Sequence, residues 1–265
     1  MLAPPQSPIR LRDDDRLKPE HAITSLGSGF RYTFAAMPKA NFNPLEVPNY
    51  TVEEAARYLL VPASTIRYWT VGETGVVPLT TVYSRKPLLL SFKNLVEIYV
   101  LETLRVVHDI GVPRIRRSVE ELRIEKPSKF PLADYQLATR GRRIYFEGEA
   151  NELINLTASG QHAFKAILNP FLKRVERNAE GIAEKLYPFT SRKHQQNPED
   201  APRVVVIDPR VAFGMPVLVN SRISTAFLMS RKNGGASISQ LARDYGRSED
   251  EIAEAISLEE AKAAA

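Results

Sequence analysis

Apolar residues first settle into a helical rhythm at Val52, Ala55, Ala56 and Leu59, directly after the run Thr51-Val-Glu-Glu54. That run has the form of a capping box, in which a hydroxyl and a carboxylate three residues later satisfy the orphan donors of a helix start. Leu60-Val61-Pro62-Ala63 interrupts the rhythm. Ser64 is then the expected N-cap of a second short helix from Thr65 to about Thr70, with Ile66 and Trp69 three apart on its buried face. Gly72, Gly75 and Pro78 end it, and Val82-Tyr83 and Leu88 to Phe92 read as two short strands around the turn Ser84-Arg85-Lys86-Pro87. A long helix is expected from Phe92 or Asn94 to Asp109, stopped by Gly111. Pro113 suits the first turn of another, with Ile115, Val119 and Leu122 on one face. On that helix Glu120, Glu121 and Glu125 stand at pairing distance from Arg116, Arg117 and Arg123.

Beyond Pro127 the pattern loosens. Arg140-Gly141-Arg142-Arg143 marks a turn and Ile144-Tyr145-Phe146 a strand. Ala163, Ile167, Phe171 and Val175 repeat every four residues, which predicts a long helix over Gln161 to Leu186 with a kink at Pro170. Ser191 to Pro202 is polar and bounded by proline, the composition of a linker. Val204 to Ile207 and Val217 to Val219 read as strands, separated by turns at Asp208-Pro209 and Phe213-Gly214-Met215-Pro216. Ser224 caps a helix through Arg231. Ser237-Ile-Ser-Gln240 and Ser248-Glu-Asp-Glu251 open two more, parted by Gly246-Arg247.

The division that follows is a flexible arm over 1–48, a winged helix-turn-helix domain over 49–126, a helical connector over 127–189, a linker over 190–202 and a three-helix C-terminal domain over 203–265. The fold class is mainly α. The arm holds Pro4, Pro5, Pro8, Pro19, Pro38, Pro44 and Pro48 and has no steady apolar period. Met37 is an alternative start, which leaves open whether residues 1–36 are expressed.

Composition narrows the chemistry. The 265 residues are 43% hydrophobic and 25% charged, with a net charge of +5 and no Cys. Thiolate metal sites, disulfides and a Cys nucleophile are excluded. No apolar stretch has the length of a membrane-spanning helix. The four His residues (His21, His108, His162, His194) are far apart. Asp13-Asp14-Asp15 reads as a solvated charge run. No paired carboxylates, nucleophilic triad or phosphate-cradling loop stands out, so no catalytic, cofactor or metal site is expected and the chain is not read as an enzyme.

The helix pair is the strongest candidate. A second helix that projects from a compact unit can enter the major groove. Its outward positions are Ser64, Thr65, Arg67 and Tyr68. A guanidinium reaches phosphate or a guanine edge, hydroxyls donate to phosphate, and a tyrosine offers a hydroxyl or an apolar contact with a thymine methyl. Arg85 and Lys86 follow where the tip of a wing would lie along the phosphates.

Tyr50-Thr-Val-Glu-Glu-Ala-Ala-Arg-Tyr-Leu59, Pro62-Ala-Ser-Thr-Ile-Arg-Tyr-Trp69, Leu89-Leu-Ser-Phe-Lys-Asn-Leu-Val-Glu-Ile98 and Ile110-Gly-Val-Pro-Arg-Ile-Arg116 resemble the DNA-binding head of MerR-type winged-helix regulators. The resemblance spans about Asn49 to Leu122 and implies that Ser64, Thr65, Arg67 and Tyr68 read DNA, with Arg85 and Lys86 in the wing. Pro87 and three leucines replace the usual shorter polar wing, and the Cys ligands of metal-sensing relatives and a long terminal coiled coil are missing. Val206-Ile-Asp-Pro-Arg-Val-Ala-Phe-Gly-Met-Pro-Val217, Ser221-Arg-Ile223 and Ile238-Ser-Gln-Leu-Ala-Arg-Asp-Tyr245 resemble a domain of unknown function numbered 433, with Asn220-Ser-Arg-Ile223 where many members have Gly-Thr-Arg-Ile.

A MerR-like head joined to that domain resembles VapB-type antitoxins. Pro131-Leu-Ala133, Gly160-Gln161 and Leu186-Tyr-Pro-Phe189 fit the same architecture. The resemblance implies a cytoplasmic, dimeric protein that binds its own double-stranded operator DNA and neutralises a PIN-like ribonuclease toxin. A PIN-type site holds metal on carboxylates, so cations would block it. Arg140, Arg142, Arg143, Arg192 and Lys193 are candidates, each more readily read as an ordinary solvated surface charge. The predicted helix over Gln161 to Leu186 and the C-terminal unit are the expected places for self-association and toxin contact. One alternative is a MerR-like transcription regulator responding to a small ligand held near Leu88-Leu89-Leu90 or Tyr145-Phe146. Another is an adaptor whose helix-turn-helix no longer binds DNA.

Overall fold

The capping box at Thr51 closes on both sides. The Thr51 hydroxyl accepts from Glu54 N at 3.1 Å, and the Glu54 carboxylate accepts from Thr51 N at 2.8 Å. It starts helix α1 (Val52–Leu59), which buries Val52, Ala55, Ala56, Tyr58 and Leu59. The computed structural model describes residues 43–108, 111–125, 127–140, 143–147 and 170–261. The expected arm up to residue 42, Asp13 to Asp15, Arg142 and His162 lie outside the described residues.

Leu60 takes a left-handed φ of 57°, and the N–H groups of Leu60 and Val61 both return to the Ala56 carbonyl. The chain reverses through Val61 and Pro62 into α2 (Ala63–Val71). Pro62, not Ser64, occupies the N-cap position, and no side chain caps this helix. The fixed proline φ suits helix entry, and the Pro62 carbonyl takes Ile66 N at 3.1 Å, which draws Ser64 into the first turn. Gly72 ends α2 at φ 78°, where a Cβ would meet the Val76 carbonyl oxygen at 2.3 Å. Only glycine fits there.

Strands β1 (Tyr50–Thr51), β2 (Ser84–Arg85) and β3 (Leu88–Leu90) form an antiparallel sheet in the order β1-β3-β2. The first hairpin strand lies two residues later than the sequence suggests. Ser84 pairs with Leu89 and Arg85 with Leu88, so Lys86-Pro87 is the loop. Pro87 has no N–H to give to a ladder, which favours a register that leaves it outside.

Helix α3 (Phe92–His108) is the central pillar. Ser91 N donates to Asn94 Oδ1 at 3.0 Å and Asn94 N returns to Ser91 Oγ at 3.3 Å, a reciprocal start. Every residue from Leu90 to Leu104 is buried, so the polar ones need partners. Lys93 lies between Glu46 at 2.8 Å and Asp134 at 2.7 Å, with its ammonium 5.5 Å from the centre of the Phe130 ring.

Helix α4 (Val112–Glu125) buries Ile115, Val119 and Leu122. Arg116 and Arg123 do not pair with its acids among the described residues. Arg123 donates to the Leu79 carbonyl at 2.6 Å, and Arg116 lies 5.9 Å from the centre of the Tyr68 ring. They flank Val119 at helical spacing and follow the apolar stripe inward.

After α5 (Pro131–Asp134), β4 (Gln136–Arg140) and β5 (Arg143–Glu147) make an antiparallel hairpin. The long helix expected over Gln161 to Leu186 lies outside the described residues up to residue 169. Residues 170–172 are helical, but β6 (Val175–Arg177) and β7 (Ala183–Leu186) form a second antiparallel hairpin. Turn chemistry overrides the four-residue period here. Asn178 Oδ1 accepts from Glu180 N at 3.1 Å and Ile182 N at 2.9 Å, and Gly181 turns at φ 83°.

The polar stretch read as a linker contains α6 (Arg192–Gln196), capped by Ser191. Arg174, only 1% exposed, pins its flanks. It donates to the carbonyls of Tyr187 (2.7 Å), Pro188 (3.0 Å), Ala201 (3.1 Å) and Pro202 (2.8 Å). Arg177 does the same for Leu132 (2.9 Å), Ala133 (2.7 Å) and Gly181 (2.8 Å). Burial holds both guanidinium groups down to about 10.

The C-terminal part is close to its sequence pattern. β8 (Val205–Val206) pairs with β9 (Val217–Leu218), followed by α7 (Thr225–Asn233), α8 (Ile238–Tyr245) and α9 (Glu249–Glu260). Ser224, Ser237 and Ser248 each accept from the N–H three residues on, at 3.2, 3.1 and 3.1 Å. Residues 43–265 belong to one compact unit. Its first and last parts meet directly. Tyr50 Oη donates to the Gly214 carbonyl at 2.8 Å, Asn49 Nδ2 donates to the Phe213 carbonyl, and Arg57 pairs with Glu259 at 3.3 Å. The described chain is largely helical with small antiparallel sheets, and no described helix is long and apolar enough to cross a membrane.

Candidate nucleic-acid interface

Helix α2 is held from its inner side. Ile66 and Thr70 are fully buried and Trp69 nearly so. The Trp69 carbonyl accepts from Leu79 N at 2.8 Å and Thr80 N at 3.2 Å. The Thr70 hydroxyl returns to the Ile66 carbonyl at 2.7 Å. With that face fixed, Ser64 and Arg67 stand exposed and Thr65 and Tyr68 are half-buried. The four residues named from the sequence thus share one short helix, but only two of them reach fully into water.

The Arg67 side chain is 51% exposed and its guanidinium forms an ion pair with Glu53, whose side chain is 68% exposed. A pair so open to solvent contributes roughly 0–1 kcal/mol, so a phosphate can displace it. Tyr68 lies beneath the Arg116 guanidinium, whose two terminal nitrogens are buried without a hydrogen-bond partner. This places a second positive charge behind the exposed face of α2. Neither Glu53 nor Arg116 was legible as part of this site. Glu53 acts across a helix–helix turn, and Arg116 reads as an intrahelical partner of Glu120.

Arg85 is exposed on β2 and Lys86 on the loop. The Ser84 hydroxyl closes that loop on the Pro87 carbonyl at 2.6 Å. Behind the hairpin, Tyr83 Oη donates to Glu46 at 2.6 Å and its ring packs 5.7 Å from Phe130. Burial tends to raise the Glu46 carboxyl, but hydrogen bonds from Lys93, Tyr83 and Asn43 outweigh it and hold the group below the usual carboxylate range. Burial and the Glu46 hydrogen bond push the Tyr83 phenol well above its ordinary value.

The arrangement offers hydroxyls, a phenol and a guanidinium on one short helix and two cations on a hairpin tip. These groups complement phosphates and base edges. Arg140 and Arg143 face each other across the β4–β5 register, while Arg192 and Lys193 are exposed on α6. Among the described residues no cluster of His, Asp and Glu could hold a metal ion.

Residues 205–265 match the family described as Protein of unknown function (DUF433), where the C-terminal sequence pattern pointed. A protein of Mycobacterium tuberculosis (strain ATCC 25618 / H37Rv) named "Putative antitoxin VapB45" is 28% identical over 236 residues, covering 80% of this chain and 93% of that one. The X-ray crystal structure of Rv2018 from Mycobacterium tuberculosis aligns with a TM-score of 0.57 at 22% identity, covering 80% of this chain and 99% of that chain. This last likeness is one of fold.

Proposed function

We propose that this chain is the antitoxin of a toxin–antitoxin pair, and that α1, α2 and the β2–β3 hairpin form a MerR-like winged helix-turn-helix head that binds double-stranded operator DNA. Ser64, Thr65, Arg67 and Tyr68 enter the major groove, and Arg85 and Lys86 follow the phosphates. The chain acts as a cytoplasmic homodimer, represses its own operon and neutralises a PIN-like ribonuclease toxin by direct binding. The DNA-binding part is supported by one observation above all: α2 buries Ile66 and Trp69 while Ser64 and Arg67 stand in water on its opposite side. Likeness to the protein named as an antitoxin, along most of both chains, supports the rest.

A gel shift on the DNA upstream of the gene tests the head. The wild type should bind with a steep salt dependence, and Arg67→Ala with Arg85→Ala should bind more weakly with a slope shallower by about two. Unchanged binding by the double variant overturns the residue assignment. Co-expression with the protein encoded beside it tests the partner: a PIN-like neighbour that stops growth alone, and is silenced and co-purified by this chain, is the expected outcome.

A further inference from the structure

Glu97 of α3 is a carboxyl with no exposed surface. Its Oε1 accepts from Leu132 N at 3.1 Å, at the start of α5, and its Oε2 meets the Thr80 hydroxyl. Thr80 Oγ1 also accepts from Asn94 Nδ2 at 2.8 Å. Leu79 and Thr80 form a strap: their N–H groups both end on the Trp69 carbonyl, and the Leu79 carbonyl takes Arg123 Nη2. Glu97 therefore holds one end of a strap whose other end fixes α2.

The charges around Glu97 are all committed elsewhere. Arg123 of α4 is bound to the Leu79 carbonyl. Asp134 of α5 and Glu46 share Lys93, on the same helix as Glu97. Arg177 of β6 is spent on the carbonyls of Leu132, Ala133 and Gly181. Among the described residues no cation donates a hydrogen bond to Glu97. Burial pushes its carboxyl up to about 8, against the Thr80 and Leu132 hydrogen bonds and the field of Arg123, with Asp134 adding to the rise.

We propose that Glu97 is a positioning residue for α2, holding the Leu79–Thr80 strap beneath Trp69 while it carries its proton and loosening it on ionisation. The proposal rests on the reading of α2 as the DNA-contacting helix. In the neutral form the Glu97 O–H donates to Thr80 Oγ1. When the proton leaves for solvent the bond reverses, with the Thr80 O–H donating to a carboxylate. That charge has no cationic partner, and Arg123, whose field already reaches Glu97, can answer it only by giving up its present bond. Arg123 then leaves the Leu79 carbonyl, and the strap that orients Trp69 loses its outer anchor.

Trp69 is the chain's only tryptophan, so its emission in the full-length protein reports on α2 without DNA. The expected result is an emission change with a midpoint near pH 8, absent in Glu97→Gln. Thr80→Val keeps the carboxyl but cuts the strap, and should uncouple Trp69 from the titration. Affinity for the upstream DNA should fall about fivefold through the same midpoint in the wild type and stay level in Glu97→Gln. Emission that stays flat through pH 8 in the wild type, or titrates identically in Glu97→Gln, overturns the proposal. So does DNA affinity that ignores the midpoint while Trp69 follows it. Should Trp69 titrate as expected and no DNA bind at any pH, the strap stands and the DNA reading fails.

Discussion

Glu53, on the first turn of α1, holds the Arg67 guanidinium of α2 in an ion pair that both residues make from the solvent side. Under the proposed DNA-binding role, Arg67 thus has an internal competitor. Glu53→Gln should release Arg67 and tighten DNA binding by up to about fivefold, with folding stability changed by less than about 0.5 kcal/mol. Titration by fluorescence anisotropy, together with thermal unfolding, checks both numbers. Weaker binding by Glu53→Gln would mean that Glu53 orients Arg67 rather than competing for it.

Arg174 donates to four backbone carbonyls and stacks 4.2 Å from the centre of the Phe189 ring. Methionine could fill the space but donate nothing, leaving buried carbonyls unpaired at a cost of about 1–3 kcal/mol each where water cannot reach. Arg174→Met should lower stability by about 3 kcal/mol or more, and 187–202 should become the first protease site. Limited proteolysis followed by mass spectrometry reads the second effect. An uncut segment in a destabilised protein would show that something else holds it.

Gly214 sits at φ 77°, and a Cβ there would come within 2.2 Å of Tyr50 Oη. Gly214→Ala meets both a backbone and a steric objection and should cost about 2–3 kcal/mol. Tyr50→Phe removes the hydroxyl and with it the clash, so the double variant should be less damaged than the sum of the singles. A double-mutant cycle in urea measures this, and strict additivity would place the damage elsewhere.

Acid and base should act through different carboxyls. The Glu46 group is held below its ordinary 4.5, so its contribution is complete above that value and disappears as pH falls through the depressed one. Glu97 has the opposite sign. Its raised group keeps a proton that the unfolded chain gives up, so stability falls as pH climbs from about 4.5 to about 8. Urea midpoints across pH should therefore show the acid limb flattened in Glu46→Gln and the upper decline flattened in Glu97→Gln. A decline unchanged in Glu97→Gln would remove this group from the account.

What could be read from the sequence was local. The Thr51–Glu54 box, the Ile66 and Trp69 spacing and the caps at Ser224, Ser237 and Ser248 each rest on residues within one or two helical turns. The misreadings have distant or competing causes. Val175 keeps the four-residue period of a helix, but Asn178 and Gly181 impose a turn just after it. The polar run after Ser191 looks like a linker because Arg174 binds its flanks through carbonyls, which every residue has and no sequence advertises. In the candidate site, the exposure of Arg67 followed from amphipathic spacing. Its partner Glu53 lies fourteen residues away across a turn, where spacing says nothing.

The joint between Tyr50 and Gly214, with Arg57 and Glu259 beside it, makes the order of synthesis matter. Helices α1 and α2 leave the ribosome early, yet part of the wall that α1 packs against belongs to α9. A nascent chain therefore has an unfinished head until residues 249–260 have been made, and the inner support of α1 is complete only then.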